Sequence, residues 1–174
     1  MIRLLLGGTK SGKSAHGDRL LLAGAAPRRV VATGRARDFP FRERIAAHKR
    51  ARPASVAVIE TGPGAMDVLC REARRGGTVL FDSLDFWLFA CHGLDDAASR
   101  LEALGRGLAP YAPADGPELI VVSTEIGLAP VAGDAATRRF VDELGTLNQA
   151  VAALARDVRL IVAGLALTLT GTST

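Results

Sequence analysis

Ile2-Arg3-Leu4-Leu5-Leu6-Gly7-Gly8-Thr9-Lys10-Ser11-Gly12-Lys13-Ser14 is the stretch that decides the fold. Residues 2–6 form a short apolar run that stops at glycine, as a buried strand does. Residues 14–25 continue as a helix. Between them, Gly7-x4-Gly12-Lys13-Ser14 matches the phosphate-binding loop pattern in full, and it sits between strand and helix, where the mechanism needs it. The glycines let backbone N–H groups turn inward onto phosphate oxygens. The helix that begins near Lys13 aims the positive end of its dipole at the same anion. Lys13 reaches the β- and γ-phosphates, and the Ser14 hydroxyl ligates Mg²⁺. Gly7, Gly8, Thr9, Lys10, Ser11, Gly12, Lys13 and Ser14 are therefore the expected binding residues for a nucleoside triphosphate, ATP or GTP.

Outward from this loop, short apolar runs alternate with helix-like segments. Strands are expected at 29–33, 55–61, 78–82 and 118–123. Helices are expected at 41–50, 65–75, 83–91, 94–108 and 134–155, with Asp134 as N-cap of the last. Gly76-Gly77 closes the helix at 65–75, and residues 109–117, with three prolines, read as a loop. Two apolar runs at 158–163 and 165–169, parted by Gly164, read as a strand and its hairpin return at the sheet edge. Such alternation gives an α/β fold, a mainly parallel sheet flanked by helices, with a C-terminal antiparallel edge hairpin. No linker divides the chain, so one domain is expected over 1–174.

Composition agrees. Apolar residues make up 48% of the chain and aromatics only 5%, so Leu, Val, Ala and Ile must build the core, as where strands are buried on both faces. The formal charge of +4 comes largely from arginines in patches such as 35–52 and 71–75, which suits an anionic nucleotide. Without a long Lys/Arg block or stacking aromatics, nucleic-acid binding is not expected. Cys70 and Cys91 are not in CxxC spacing and read as reduced thiols. The apolar start runs straight into the glycine loop and is too short for a signal peptide or a membrane span, so a cytoplasmic protein is expected.

Further chemistry is carried by acids at strand ends. Thr78-Val79-Leu80-Phe81-Asp82 is an apolar strand ending in a carboxylate. In phosphate-loop proteins such an Asp holds Mg²⁺, directly or through water, although Asp82 can also simply N-cap the next helix. Glu125 follows the strand at 118–123 in the same way, either as a base or substrate contact or as a solvated loop acid. His16 is one turn into the loop helix and reads as surface packing. His92 falls in a loop, and Trp87 reads as core.

Several segments in order give the chain a resemblance to the adenosylcobinamide kinase / adenosylcobinamide-phosphate guanylyltransferase family over nearly its whole length. The loop at 7–14 is similar to the family's GGxxSGKS. Arg44-Ile45-Ala46-Ala47-His48-Lys49 with Arg52-Pro53 resembles RIxxHxxxRP. Val79–Leu84 with Trp87-Leu88 resembles VLxDxLTxWL. Ser123-Thr124-Glu125-Ile126-Gly127 resembles xNEVGxG, and residues 138–149 resemble RxFxDxxGxxNQ. The resemblance implies a RecA-like fold, a homotrimer, and a corrinoid substrate, cobinamide. It also implies two reactions: phosphorylation of adenosylcobinamide by ATP or GTP, then GMP transfer from GTP through a guanylyl-histidine. Under it, Lys13, Glu125 and His48 are the catalytic candidates, and Ser14 with Asp82 the metal candidates.

The histidine segment departs from the pattern. Bifunctional members carry paired histidines, and in this alignment the first of the pair is the GMP acceptor; here that position is Ala47 and only His48 is filled. Adjacent helical residues point about 100° apart. Either His48 has taken over as nucleophile, or guanylyl transfer is lost and a kinase remains, or His48 is a solvated helix residue. Ser123-Thr124 in place of Thr-Asn and Asp85 in place of threonine are further departures, on the side where the resemblance implies the acceptor.

Overall fold

In a computed structural model, residues 1–34, 53–130 and 132–169 are described. The helix expected at 41–50, His48 within it, and the last residues of the chain lie outside this set. The strands are β1 (Ile2–Gly7), β2 (Arg28–Ala32), β3 (Val56–Glu60), β4 (Thr78–Asp82), β5 (Glu118–Val122), β6 (Asp157–Val162) and β7 (Leu165–Thr168). The helices are α1 (Lys13–Ala23), α2 (Ala65–Ala73), α3 (Leu84–Cys91), α4 (Ala97–Leu108) and α5 (Ala135–Leu154).

Among the described residues these strands form one sheet in the order β3-β2-β4-β5-β1-β6-β7. All neighbours are parallel except β6 and β7, which close it with an antiparallel hairpin. Successive strand residues point to opposite faces, and both faces are covered. Leu4, Val79, Phe81, Leu119 and Val121 look toward α2, α3, α4 and α5. Leu5, Val30, Leu80, Ile120 and Val122 look the other way, where Leu21 of α1 packs on them. The continuous apolar runs of β4 and β5 follow from this burial on both sides.

Helix starts are fixed by local chemistry. Asp134 caps α5 as its sequence suggests, accepting the N–H of Thr137 at 2.8 Å. The helix expected from 94 begins instead at Ala97, because the Asp96 side chain accepts the N–H of Ser99 at 2.7 Å and so becomes the N-cap. The expected loop at 109–117 opens with a 3₁₀ turn, Ala109–Tyr111. Its Tyr111 is fully buried and donates its hydroxyl to the Leu69 carbonyl at 2.9 Å, so this turn is part of the core. Burial pushes the phenol well above its usual range. Cys70 and Cys91 are free thiols, and burial raises that of Cys91 to about 11. No described helix is long and apolar enough to cross a membrane.

Trp87 is core, 1% exposed, and its indole N–H reaches the Pro63 carbonyl at 3.0 Å. Trp87→Ala is expected to cost about 3–5 kcal/mol of folding stability through the cavity and the unpaired carbonyl. Urea unfolding measures this, and a loss below about 1 kcal/mol would contradict the packing described.

Candidate active site

β1 delivers the chain to the carboxyl edge of the sheet at Gly7, where there is no space for a side chain. A Cβ there would lie 2.5 Å from Ser11 Oγ and 2.6 Å from the Ile161 carbonyl. The loop then turns through two left-handed residues, Lys10 (φ 57°) and Gly12 (φ 97°). Gly12 is the N-cap of α1 and offers no side-chain cap, so the first amides of α1 are left to an anion. Lys13 is buried, and its ammonium donates across the loop to the Gly8 carbonyl at 3.0 Å. Ser11 Oγ is buried without a hydrogen-bond partner. Gly7–Ser14 thus form a tight turn between β1 and α1, with the first amides of α1 left uncapped by any side chain.

Both neighbouring strands hold this loop. From the β5 side, the N–H of Glu125 donates to the Gly7 carbonyl at 3.3 Å; from the β6–β7 turn, the N–H of Gly164 donates to the Ser11 carbonyl at 2.8 Å. Asp82 ends β4, one strand beyond β5, on the same edge. Its backbone is fixed by Thr33, whose N–H donates to the Asp82 carbonyl at 3.0 Å and whose hydroxyl bridges the N–H and C=O of Ser83 at 2.9 and 2.7 Å. Ser83, not Asp82, is the N-cap residue of α3. Glu125 is half-buried beside the loop, and its Oε1 accepts the N–H of Gly127 at 3.0 Å.

A polar cluster that the sequence reading did not assemble lies behind Glu125. Asn148 of α5 is 6% exposed; it accepts the Ser123 hydroxyl at 2.6 Å and donates to the Thr124 carbonyl at 3.2 Å. The Thr124 hydroxyl donates to Asp85 Oδ2 at 2.9 Å. The residues that depart from the family pattern, Asp85 and Thr124, are therefore partners. One signal was legible: Leu144, Leu147, Asn148 and Val151 share one helical face, so Asn148 is a polar residue on an apolar stripe.

His16 packs on the surface, with its ring nitrogens 3.0 Å from Arg19 and 3.4 Å from Arg159. Burial, then these two guanidiniums, lower its pKa. His92 follows α3 and is exposed.

The family described as cobinamide kinase / cobinamide phosphate guanyltransferase matches residues 3–169. The bifunctional adenosylcobalamin biosynthesis protein CobP of Pseudomonas aeruginosa is 36% identical over 168 residues, covering 97% of this chain and 96% of that one. The bifunctional adenosylcobalamin biosynthesis protein CobU of Salmonella typhimurium is 28% identical over 181 residues, covering 95% and 97%. Among solved structures, an ATPase from the type III secretion system of pathogenic bacteria superposes with TM-score 0.57 at 14% identity, over 96% of this chain and 56% of that chain. The RadB recombinase does so with TM-score 0.53 at 15% identity, over 91% and 73%. These two likenesses show the fold, a RecA-like phosphate-loop architecture.

Asn148→Ala would strand the Ser123 hydroxyl and the Thr124 carbonyl. It is expected to lower stability by about 2–4 kcal/mol, read from denaturant unfolding. A loss under about 0.5 kcal/mol would mean that the cluster is not the tie between β5 and α5 described above.

Proposed function

Because the chain belongs to the cobinamide kinase / cobinamide phosphate guanyltransferase family, we propose that it phosphorylates the hydroxyl of adenosylcobinamide with ATP or GTP and then transfers GMP from GTP onto that phosphate, in cobalamin assembly. The observation that carries this reading is the full phosphate-loop sequence at Gly7–Ser14 leading into a helix start without a side-chain cap, within a chain matched by the family almost throughout.

In the kinase step the loop amides and Lys13 hold the triphosphate and stabilise the charge that spreads over the transferred phosphoryl group. The Ser14 hydroxyl, in the helix after β1, and the Asp82 carboxylate, at the end of β4, are hard oxygen donors on one edge of the sheet with β5 between their strands, and would hold Mg²⁺. Bound there, the metal neutralises phosphate charge. Glu125, beside the base of the loop, orients or deprotonates the acceptor hydroxyl, whose oxygen attacks the γ-phosphorus as the nucleoside diphosphate leaves.

For guanylyl transfer, His48 is the proposed nucleophile. Of the three histidines in the chain, His16 is engaged by two arginines and His92 follows α3, whereas His48 falls in the segment resembling the family's histidine motif. A neutral imidazole nitrogen attacks the α-phosphorus of GTP and expels pyrophosphate. An oxygen of the cobinamide phosphate then attacks the same phosphorus and releases the imidazole. Ala47, at the first position of the expected pair, favours a second reading, a kinase without the transfer step. We further infer a homotrimer acting in the cytoplasm. In support of assembly, the edge strand β7 exposes Leu165 and Leu167, 77% and 60% accessible.

GTP labelled at the α-phosphate tests the reading. The expected result is an acid-labile, alkali-stable label on the protein, abolished in His48→Ala, and cobinamide phosphorylation reduced at least about a hundredfold in Lys13→Ala. Phosphorylation without label would leave the kinase alone; neither would sink the proposal.

A further inference from the structure

We propose, on the premise of the kinase reading above, that Asp85 contacts the acceptor: its Oδ1 takes a hydrogen bond from an O–H or N–H group of the alcohol substrate. Asp85 sits in the first turn of α3, three residues beyond Asp82, and a hydrogen bond ties it to the segment leaving β5. One carboxylate oxygen, Oδ2, is engaged by the Thr124 hydroxyl at 2.9 Å. The other, Oδ1, is buried and has no hydrogen-bond partner. Native proteins rarely leave a buried polar atom unmade, because its lost hydration is not repaid. A ligand that supplies a donor repays it.

Two ties connect this oxygen to the reaction site. Thr124 is adjacent to Glu125, whose N–H donates to the Gly7 carbonyl at the base of the phosphate loop. The Thr124 carbonyl is in turn held by Asn148, so the hydroxyl that grips Asp85 is fixed in place. Glu125 commits its own Oε1 to the N–H of Gly127. Asp85 keeps one buried oxygen unengaged, on a side chain joined to the loop through Thr124 and Glu125. An acid in the first turn of a helix also gains from the dipole, but an exposed acid gains this equally, so the dipole does not account for the buried, unpaired Oδ1.

The charge selects the ligand. A carboxylate repels the phosphates of the nucleotide and attracts neutral donors, so the acceptor and not the triphosphate is its partner. The hydroxyl and amide N–H groups of a cobinamide-type substrate are donors of that class.

Steady-state kinetics on the full chain, with cobinamide and the nucleoside triphosphate varied in turn, test this. Asp85→Ala is expected to raise KM for cobinamide about tenfold or more, the scale of a hydrogen bond to a charged group. KM for the nucleotide should stay within about twofold. Asp85→Asn keeps the size, an acceptor oxygen and a partner for Thr124, so it should fold as wild type and recover part of the loss. An unchanged acceptor KM in both variants, or acceptor and nucleotide KM rising together, overturns the assignment. If Asp85→Ala fails to fold, the Asp85→Asn split alone decides: a rise of about threefold or more in acceptor KM only supports the contact, and no split overturns it. If wild type does not turn over cobinamide, the kinase reading falls and this contact with it; if wild type is active and the split is missing, the contact alone falls.

Discussion

The structure depends on one constraint: an apolar strand must become a helix within a few residues while its backbone N–H groups converge on a single point. That geometry is expensive. It places Lys10, a residue with a Cβ, at φ 57° and Gly12 at φ 97°, and it leaves the start of α1 without a side-chain cap. Within the loop the Gly8 carbonyl is engaged by the N–H of Ser11 and the Lys13 ammonium. Further support comes from outside, through the strands on either side of β1. Glu125 after β5 takes hold of the Gly7 carbonyl, and Gly164 after β6 takes hold of the Ser11 carbonyl. A loop gripped at both ends by its neighbours presents its donors before any phosphate arrives, so binding need not pay to organise them.

The strand order follows from that requirement. Placing β1 between β5 and β6 puts two carboxyl ends beside the loop, and placing β4 next to β5 brings Asp82 to the same edge. Ions of the opposite kind lie elsewhere. Arg29 and Glu72 pair in the interior, 4% and 1% exposed, and Arg100 of α4 is matched by Asp95, just before that helix, and by Glu143 of α5. These arginines are consumed in tying the layers together; their charges are spoken for and do not compete for a nucleotide.

Much of this was legible in the sequence because it rests on local chemistry. The glycine loop, the apolar runs of β4 and β5 and the Asp134 cap are each decided within about ten residues, and each is found in the structure; the helix expected over 65–75 ends at Ala73, with Arg74 as its C-cap, and the left-handed Gly76 and Gly77 follow a short turn later. What escaped depends on contacts between distant segments. Nothing near Tyr111 announces that its hydroxyl will reach Leu69, so a proline-rich stretch read as a loop hides a buried turn. Asp96 displaced the expected start of α4 because capping competes with apolar periodicity, and the cap won. Asp85 and Thr124 are separated by 39 positions, and each alone read only as a departure from a pattern. Their pairing could be seen only after β4 and β5 had been laid side by side.

Among the described residues three buried side-chain atoms lack a hydrogen bond: Ser11 Oγ, Asp85 Oδ1 and Arg29 Nε. The last is not bare, since Glu72 Oε2 lies 3.2 Å away as an ion pair that only misses hydrogen-bond alignment. The other two have no such excuse, and they are on the phosphate loop and beside the strand end that follows β5. A sequence that satisfies polar atoms elsewhere and leaves these two is in conflict with itself only if the folded chain is considered alone. Considered with its substrates, the conflict resolves for Asp85, whose unengaged oxygen takes a neutral donor on the proposal above. On that proposal the phosphate loop takes the nucleotide and Asp85 the alcohol, which is the division that a transfer between two bound molecules requires.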